Sequence, residues 1–343
     1  MKQLYISVLL FSLHSAQGQG RHGYAISLTH ENDFLATNNK DDNYTGGAKI
    51  EVLTPGLPIK YLPFYRFKEE NAVNIQRYQI GATAYTPQTL NTSQVVYGER
   101  PYASLVYIAV GNSAFSGNGK WIVQSDIVIG LMGKDQPGQA QKYIHEHHWF
   151  GSTRPVPEGW SNQIGYDGSF MLNYNSKILY LIAHTGNRCD FELARVMWSN
   201  KVDIGNYMTN LQTGFKINLL NYYTTLLQGY TPTIPAELIH TAKKTPIRFT
   251  VFIEPQVRWA AYNATLEGLL FDDKSIYKVP HSQVKRVLFE LGTGIHIVLF
   301  DIVNITYSMY SRSREFDGGK SFHNWGSFTI GASPRRWNAD SKK

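Results

Sequence analysis

Hydrophobic and polar residues alternate with period two along most of this chain. Between Phe249 and Ala261, one face carries Phe249, Val251, Ile253, Val257 and Trp259, and the other carries Thr250, Glu254, Gln256 and Arg258. Val303, Ile305, Tyr307 and Met309 alternate in the same way with Asn304, Thr306 and Ser308. Successive side chains of a strand point to opposite faces, so runs this regular predict strands that are apolar on one side and wet on the other. Further strands are expected over 24–33, 45–53, 76–86, 103–112, 121–131, 169–173, 177–184, 192–198, 210–218 and 286–296, with one near 325–332. That makes about a dozen, separated by turns rich in Gly, Asn and Pro such as Gly117-Asn118-Gly119. Two tracts, 133–168 and 219–247, break the alternation and read as irregular or helical connections. In a membrane barrel the apolar face meets lipid, the polar face lines the interior, and the long connections are usually extracellular. The expected fold is all-β: a transmembrane antiparallel β-barrel of about 12 strands with short helices in its extracellular loops.

The first residues add the compartment. Lys2 precedes a short apolar run from Leu4 to Leu13, and small residues follow at Ala16 and Gly18. This is the layout of a secretory signal peptide over 1–18, leaving 19–343 as one barrel domain. No later window of about 18 apolar residues offers a transmembrane helix. Aromatic residues make up 13% of the chain, with 22 Tyr, while charged residues reach only 17%. Globular domains carry roughly 25% charged residues, and aromatic girdles belong to barrel walls, so the composition favours the membrane reading. The lone Cys189 excludes an intrachain disulfide and reads as a buried or wall residue. A formal charge of +7 favours an anionic partner; behind an export signal, a phosphate-dense lipopolysaccharide surface fits better than nucleic acid. The C-terminal end departs from many outer-membrane barrels, because Pro334-Arg335-Arg336-Trp337 and a polar tail follow the last strand-like segment.

Three polar clusters could carry chemistry. In the first hairpin, period-two counting puts Ser27, Thr29, Glu31 and Asp33 on the interior face, and Thr45, Lys49 and Glu51 on one face of the next strand. Asp33 and Thr45 could then meet near a turn containing Asp41, Asp42 and Asn43, and such oxygens suit a hard cation like Ca²⁺. The same residues also suit a turn that satisfies its own backbone. The second cluster runs from Pro137 to His148. Pro137 fits a first helical turn, which sets Gln141 and His145 four apart on one face. Histidine is the side chain best placed to take a proton from water near neutral pH. His145 and His148 could instead share a metal, although His147 and His148 cannot both join that face. In the third cluster, Gly98 to Ser104, Arg100 could hold a phosphate or a carboxylate, or be a rim charge. No G-x-S-x-G, phosphate-cradling loop, dinucleotide fingerprint or HExxH helix is present.

Taken in order, END at 31–33, YTGG at 44–47, YTP at 85–87, ERPYAS at 99–104, GLMGKDQPGQAQKYIH at 130–145 and GWSNQ at 159–163 resemble the lipid A 3'-O-deacylase family of outer-membrane enzymes. The resemblance covers most of the chain and is motif-deep over roughly 24–165. It implies a twelve-stranded barrel in the bacterial outer membrane that hydrolyses an acyl ester of lipid A with a divalent cation, expected to be Ca²⁺; a monomer is expected. It implies His145 as the base that activates water and Gln141 as its helix companion. Asn32, Asp33 and Thr45 would form the polar set near the metal and the reacting carbonyl, with Asn32 and Asp33 as metal ligands and Arg100 as a substrate contact. The chain departs from the family pattern at Glu99 and Ser104, where DRPYAG is usual, and at Gly133-Lys134, where GP is usual. The stretch from Gln88 to Gln94 also lacks a basic residue found in some members. These departures bear on substrate positioning and leave two other readings open, a non-catalytic barrel of the same family and a calcium-dependent phospholipase.

Overall fold

Alternating faces close on themselves in the computed structural model, which describes residues 24–36, 43–55, 64–148, 154–185, 191–222, 246–270 and 275–333. Twelve antiparallel strands form one closed barrel. They are β1 (Ala25–Asn32), β2 (Asn43–Pro55), β3 (Val73–Thr86), β4 (Ala103–Phe115), β5 (Trp121–Met132) and β6 (Ser169–His184). The second half comprises β7 (Phe191–Gly205), β8 (Met208–Tyr222), β9 (Ile247–Asn263), β10 (Val287–Leu299), β11 (Val303–Ser313) and β12 (Phe322–Ala332). Every strand pairs with its sequence neighbours, and β1 closes the ring on β12 from Ile26↔Ala332 to Asn32↔Gly326. Closure satisfies the backbone without water, as a lipid environment requires. The two strands expected at 169–173 and 177–184 are one strand, β6, because Tyr174 to Ser176 continue the ladder to both β5 and β7.

The apolar faces point outward. Ile26, Leu28, Ile50, Ile80, Ile108, Ile129 and Trp259 are all exposed on the outer wall, with Ile108 and Trp259 each 54% accessible. Their neighbours turn inward and form three layers. Near the start of β1 Leu53, Ile75, Phe115, Ile122, Leu179 and Met197 make an apolar layer. The middle is ionic, with Arg77 2.8 Å from Glu51, Lys216 2.8 Å from Glu254 and Arg258 3.0 Å from Glu290. A cavity of about 320 Å³ lies beside this layer, lined by Lys49, Arg77, Asp126, Lys177, Lys201 and Tyr207 among others. At the opposite end Tyr44, Tyr85 and Trp325 form an aromatic layer, with Tyr107, Tyr207 and Tyr310 packed against it. Among the described residues the lumen is therefore occupied by side chains rather than open as a pore.

Strand direction sorts the connections. The β1–β2, β3–β4, β5–β6, β9–β10 and β11–β12 connections share one end, which also carries the helices. The start of β1, the end of β12 and the β4–β5 and β10–β11 turns share the other. Of the tract 219–247, expected to be irregular or helical, residues 219–222 continue β8 and Ile247 opens β9. Residues 223–245, the Asp41-Asp42 turn, Cys189 and the tail from Pro334 lie outside the described residues.

Candidate functional site

Side chains on the outer wall should meet lipid, but at the helix-bearing end of β2, β3 and β4 they do not. Thr45, Thr86 and Ser104 are outward by the pleat, and all are buried. Helix α1 (Asp135–Glu146) packs against β3 and β4 there. Its sequence explains its limits: Asp135 and Pro137 suit the first turn, and His148 ends the helix in a left-handed conformation (φ 51°). Gly138, Gln141 and His145, at spacings of three and four, share its buried face. The Ser104 hydroxyl reaches the Lys134 carbonyl at 2.7 Å, tying the start of α1 to the wall.

The structure corrects the face of Thr45. The β2–β3 register shifts between Tyr44 and Gly46, so an extra residue enters β2. A bulge reverses side-chain parity. Tyr44 therefore turns inward, with its hydroxyl donating to Glu31 and its ring against Trp325. Thr45 turns outward instead, its hydroxyl 2.6 Å from that of Thr86. Asn32 is also outward on β1, opposite Gly46. Its Oδ1 accepts from the Phe34 N–H at 2.9 Å and caps a 3-10 turn over Asp33–Leu35. That turn leans over the outer wall of β12, and Tyr307 of the adjoining β11 donates to the Leu35 carbonyl at 2.5 Å. Asp33 is only 2% exposed, a carboxylate buried at the top of β1.

His145 is 4% exposed, and its Nδ1 lies 2.7 Å from the Pro155 carbonyl oxygen. A carbonyl only accepts, so Nδ1 carries the proton and the lone pair of the neutral ring sits on Nε2. The Gln141 Oε1 accepts from the Trp160 indole at 3.1 Å. His147 bonds back to the Tyr143 carbonyl and His148 is exposed past the helix end, so His148 does not share the buried face of His145. No group of three His, Cys, Asp or Glu converges among the described residues.

Arg100 lies elsewhere, over the mouth of the lumen. Its guanidinium donates to Glu315 and to Thr265, each at 2.6 Å, and sits 4.6 Å from the Tyr85 ring centre. It is 2% exposed, and its charge is already paired. The same carboxylate, Glu315, takes Arg312 at 3.1 Å, which in turn reaches Glu290 at 2.5 Å. Burial alone would raise the Glu315 pKa, but Arg100 and Arg312 hold it down to about 2.

This arrangement, a barrel with a loop helix seated on its outer wall, can be set beside known proteins. The chain matches the family described as Outer membrane protein LpxR over residues 4–333. It belongs to the LpxR family. The solved structure of LpxR from Salmonella typhimurium superposes with a TM-score of 0.66 at 17% identity, covering 90% of this chain and 99% of that one. The outer-membrane phospholipase dimer of Salmonella typhi with bound calcium aligns at a TM-score of 0.29 and 11% identity, over 91% of this chain and 89% of that one, and does not bear on the assignment. No curated protein matches the sequence.

As an LpxR-family barrel the protein is integral to the outer membrane, and its helices stand together at one end. Asn32, Asp33, Thr45, Gln141 and His145 all lie at that end, and Asn32 and Thr45 project on the outer wall. Arg100 does not join them. Sequence reasoning missed Thr86, Pro155 and Trp160. Thr86 and Trp160 each had a signal, their places in the YTP and GWSNQ motifs, and Pro155 had none. The donors at hand suit a hard cation: one buried carboxylate, an amide oxygen, hydroxyls and carbonyls, all oxygen. With a single acidic side chain among them, most coordination positions would fall to neutral oxygens, water and substrate.

Proposed function

We propose that this LpxR-family protein hydrolyses an ester-linked acyl chain of lipid A, with His145 as general base. The observation that carries the reading is the His145–Pro155 hydrogen bond. It fixes the tautomer whose Nε2 can accept a proton from water, on a helix seated against the lipid-facing wall. With the helix-bearing end facing outward, as the deacylase reading requires, a site on the outer wall is reached sideways from the outer leaflet, where acyl chains lie. A transport reading finds no support in a lumen filled by two apolar layers and an ionic one.

In the proposed mechanism water approaches the ester carbonyl and His145 Nε2 takes its proton as the carbon–oxygen bond forms. The Gln141 amide, its oxygen committed to Trp160, turns its NH₂ away from the indole to donate to an oxygen of the site. The Thr45 hydroxyl, paired with Thr86, is a further polar contact for the substrate. As the tetrahedral intermediate collapses, the imidazolium returns the proton to the departing sugar hydroxyl, and the fatty acid leaves. Asp33, with oxygens of Asn32 and neighbouring carbonyls, would hold a divalent cation such as Ca²⁺, which when bound supplies positive charge for the developing oxyanion. Arg100 serves as a clamp between loops rather than as a substrate contact.

The test is fatty-acid release by the purified barrel in micelles, offered lipid A or a glycerophospholipid, with and without a chelator. Chelator-sensitive release from lipid A that His145→Ala abolishes is the expected result. Release from the phospholipid alone would overturn the substrate, and undiminished release by His145→Ala would overturn the base.

A further inference from the structure

Two glycines and two aromatic rings form a stack beside α1. A Cβ on Gly138 would come within 2.6 Å of the Trp160 ring, and one on Gly159 within 2.6 Å of the Tyr102 ring. Between them the two rings pack at 4.9 Å. Tyr102 is fixed in turn, since its carbonyl accepts from the Ile164 N–H at 2.9 Å and the next residue begins β4. The indole of Trp160 therefore has little room to move, and it directs its N–H at Gln141 Oε1.

We propose that Trp160 is a positioning residue that sets which way the Gln141 amide faces. This inference rests on the deacylase reading for its catalytic consequence. An indole N–H can only donate, so the atom it meets must be the amide oxygen. The NH₂ is then presented on the opposite side as a donor. Without the indole, the amide loses the donor that holds its oxygen on that side, and its two-fold torsion admits the reversed orientation. An acceptor would then stand where the reaction calls for a donor. Gly138 and Gly159 keep this geometry by leaving space for the rings, which accounts for the PGQ and GWSNQ motifs as one device.

Trp160→Phe keeps the ring and removes the N–H. Its kcat on lipid A is expected to fall about tenfold with KM within about twofold, because the loss is in alignment rather than in binding. Gln141→Ala and the double variant should match each other, since Trp160 acts through Gln141. A second readout does not require activity. The protein has seven tryptophans, so ¹⁵N-tryptophan labelling gives seven indole signals, and the one absent in Trp160→Phe belongs to Trp160. In Gln141→Ala that signal should shift and its proton should exchange faster. Full kcat in Trp160→Phe, or losses that multiply in the double variant, would overturn the proposal. If the wild type releases nothing from lipid A, the deacylase reading fails, and the indole signal alone decides: a shift in Gln141→Ala supports the orienting contact, and an unmoved signal overturns it.

Discussion

Replacing Glu315 by glutamine removes one charge from a buried network and keeps its shape. Glu315 lies in the β11–β12 connection, 2.6 Å from Arg100 and 3.1 Å from Arg312. Arg100 joins it to the β3–β4 connection and, through Thr265, to the β9–β10 connection, so three loops share the bond. Burial would raise the carboxyl pKa, yet the two guanidinium groups lower it from 4.5 to about 2. At about 1.4 kcal/mol per pKa unit the charged form contributes on the order of 3 kcal/mol to folding. A separate route agrees: removing one partner of a buried ion pair costs about 3–5 kcal/mol, because the other charge stays buried. The assay is urea unfolding of wild type and Glu315→Gln in lipid vesicles, followed by tryptophan emission. A depressed carboxyl pKa means the contribution is complete above the unfolded value. The gap should therefore be on the order of 3 kcal/mol at pH 7, narrow below about pH 4.5 and close near pH 2. A gap under about 1 kcal/mol at pH 7, or one unchanged between pH 7 and pH 3, would refute the reasoning.

Thr45→Val keeps the shape of the side chain and removes the hydroxyl that meets Thr86 at 2.6 Å. It should cost about 1 kcal/mol in the same unfolding assay while lowering ester release about tenfold or more; unaltered turnover would remove Thr45 from the site. Reconstituted in planar bilayers, the barrel should show no steady conductance, and an open-pore current would contradict a lumen closed by its two apolar layers. Ile295→Arg, on the lipid face near the middle of β10, should destabilise the barrel by about 2–4 kcal/mol. A neutral result in vesicle unfolding would mean that this wall does not face lipid.

Most of the fold was legible because a barrel wall must alternate. The faces read for Phe249–Ala261 and Val303–Tyr310 are those found: Thr250, Asn304, Thr306 and Ser308 are buried inward, and Trp259 is exposed outward. Helix α1 was legible too, since Pro137 marks its start and Gln141 and His145 share its buried face. The parity of Thr45 was not, because a bulge adds a residue without any mark that counting by two would detect. Nor could spacing reveal that Arg100 is paired, since Glu315 lies 215 positions away. The Pro155 carbonyl that orients His145 is a backbone atom, and backbone acceptors carry no side-chain signature in a sequence.

In the proposed reaction His145 drives removal of an acyl chain from lipid A. Mass spectrometry of lipid A from cells expressing wild type or His145→Ala, with both barrels confirmed as folded in the outer membrane, tests it most directly. Lipid A lighter by one acyl chain is expected with wild type, and unmodified lipid A with the variant. Unmodified lipid A from cells carrying correctly inserted wild type, or the same loss of mass with His145→Ala, would contradict it.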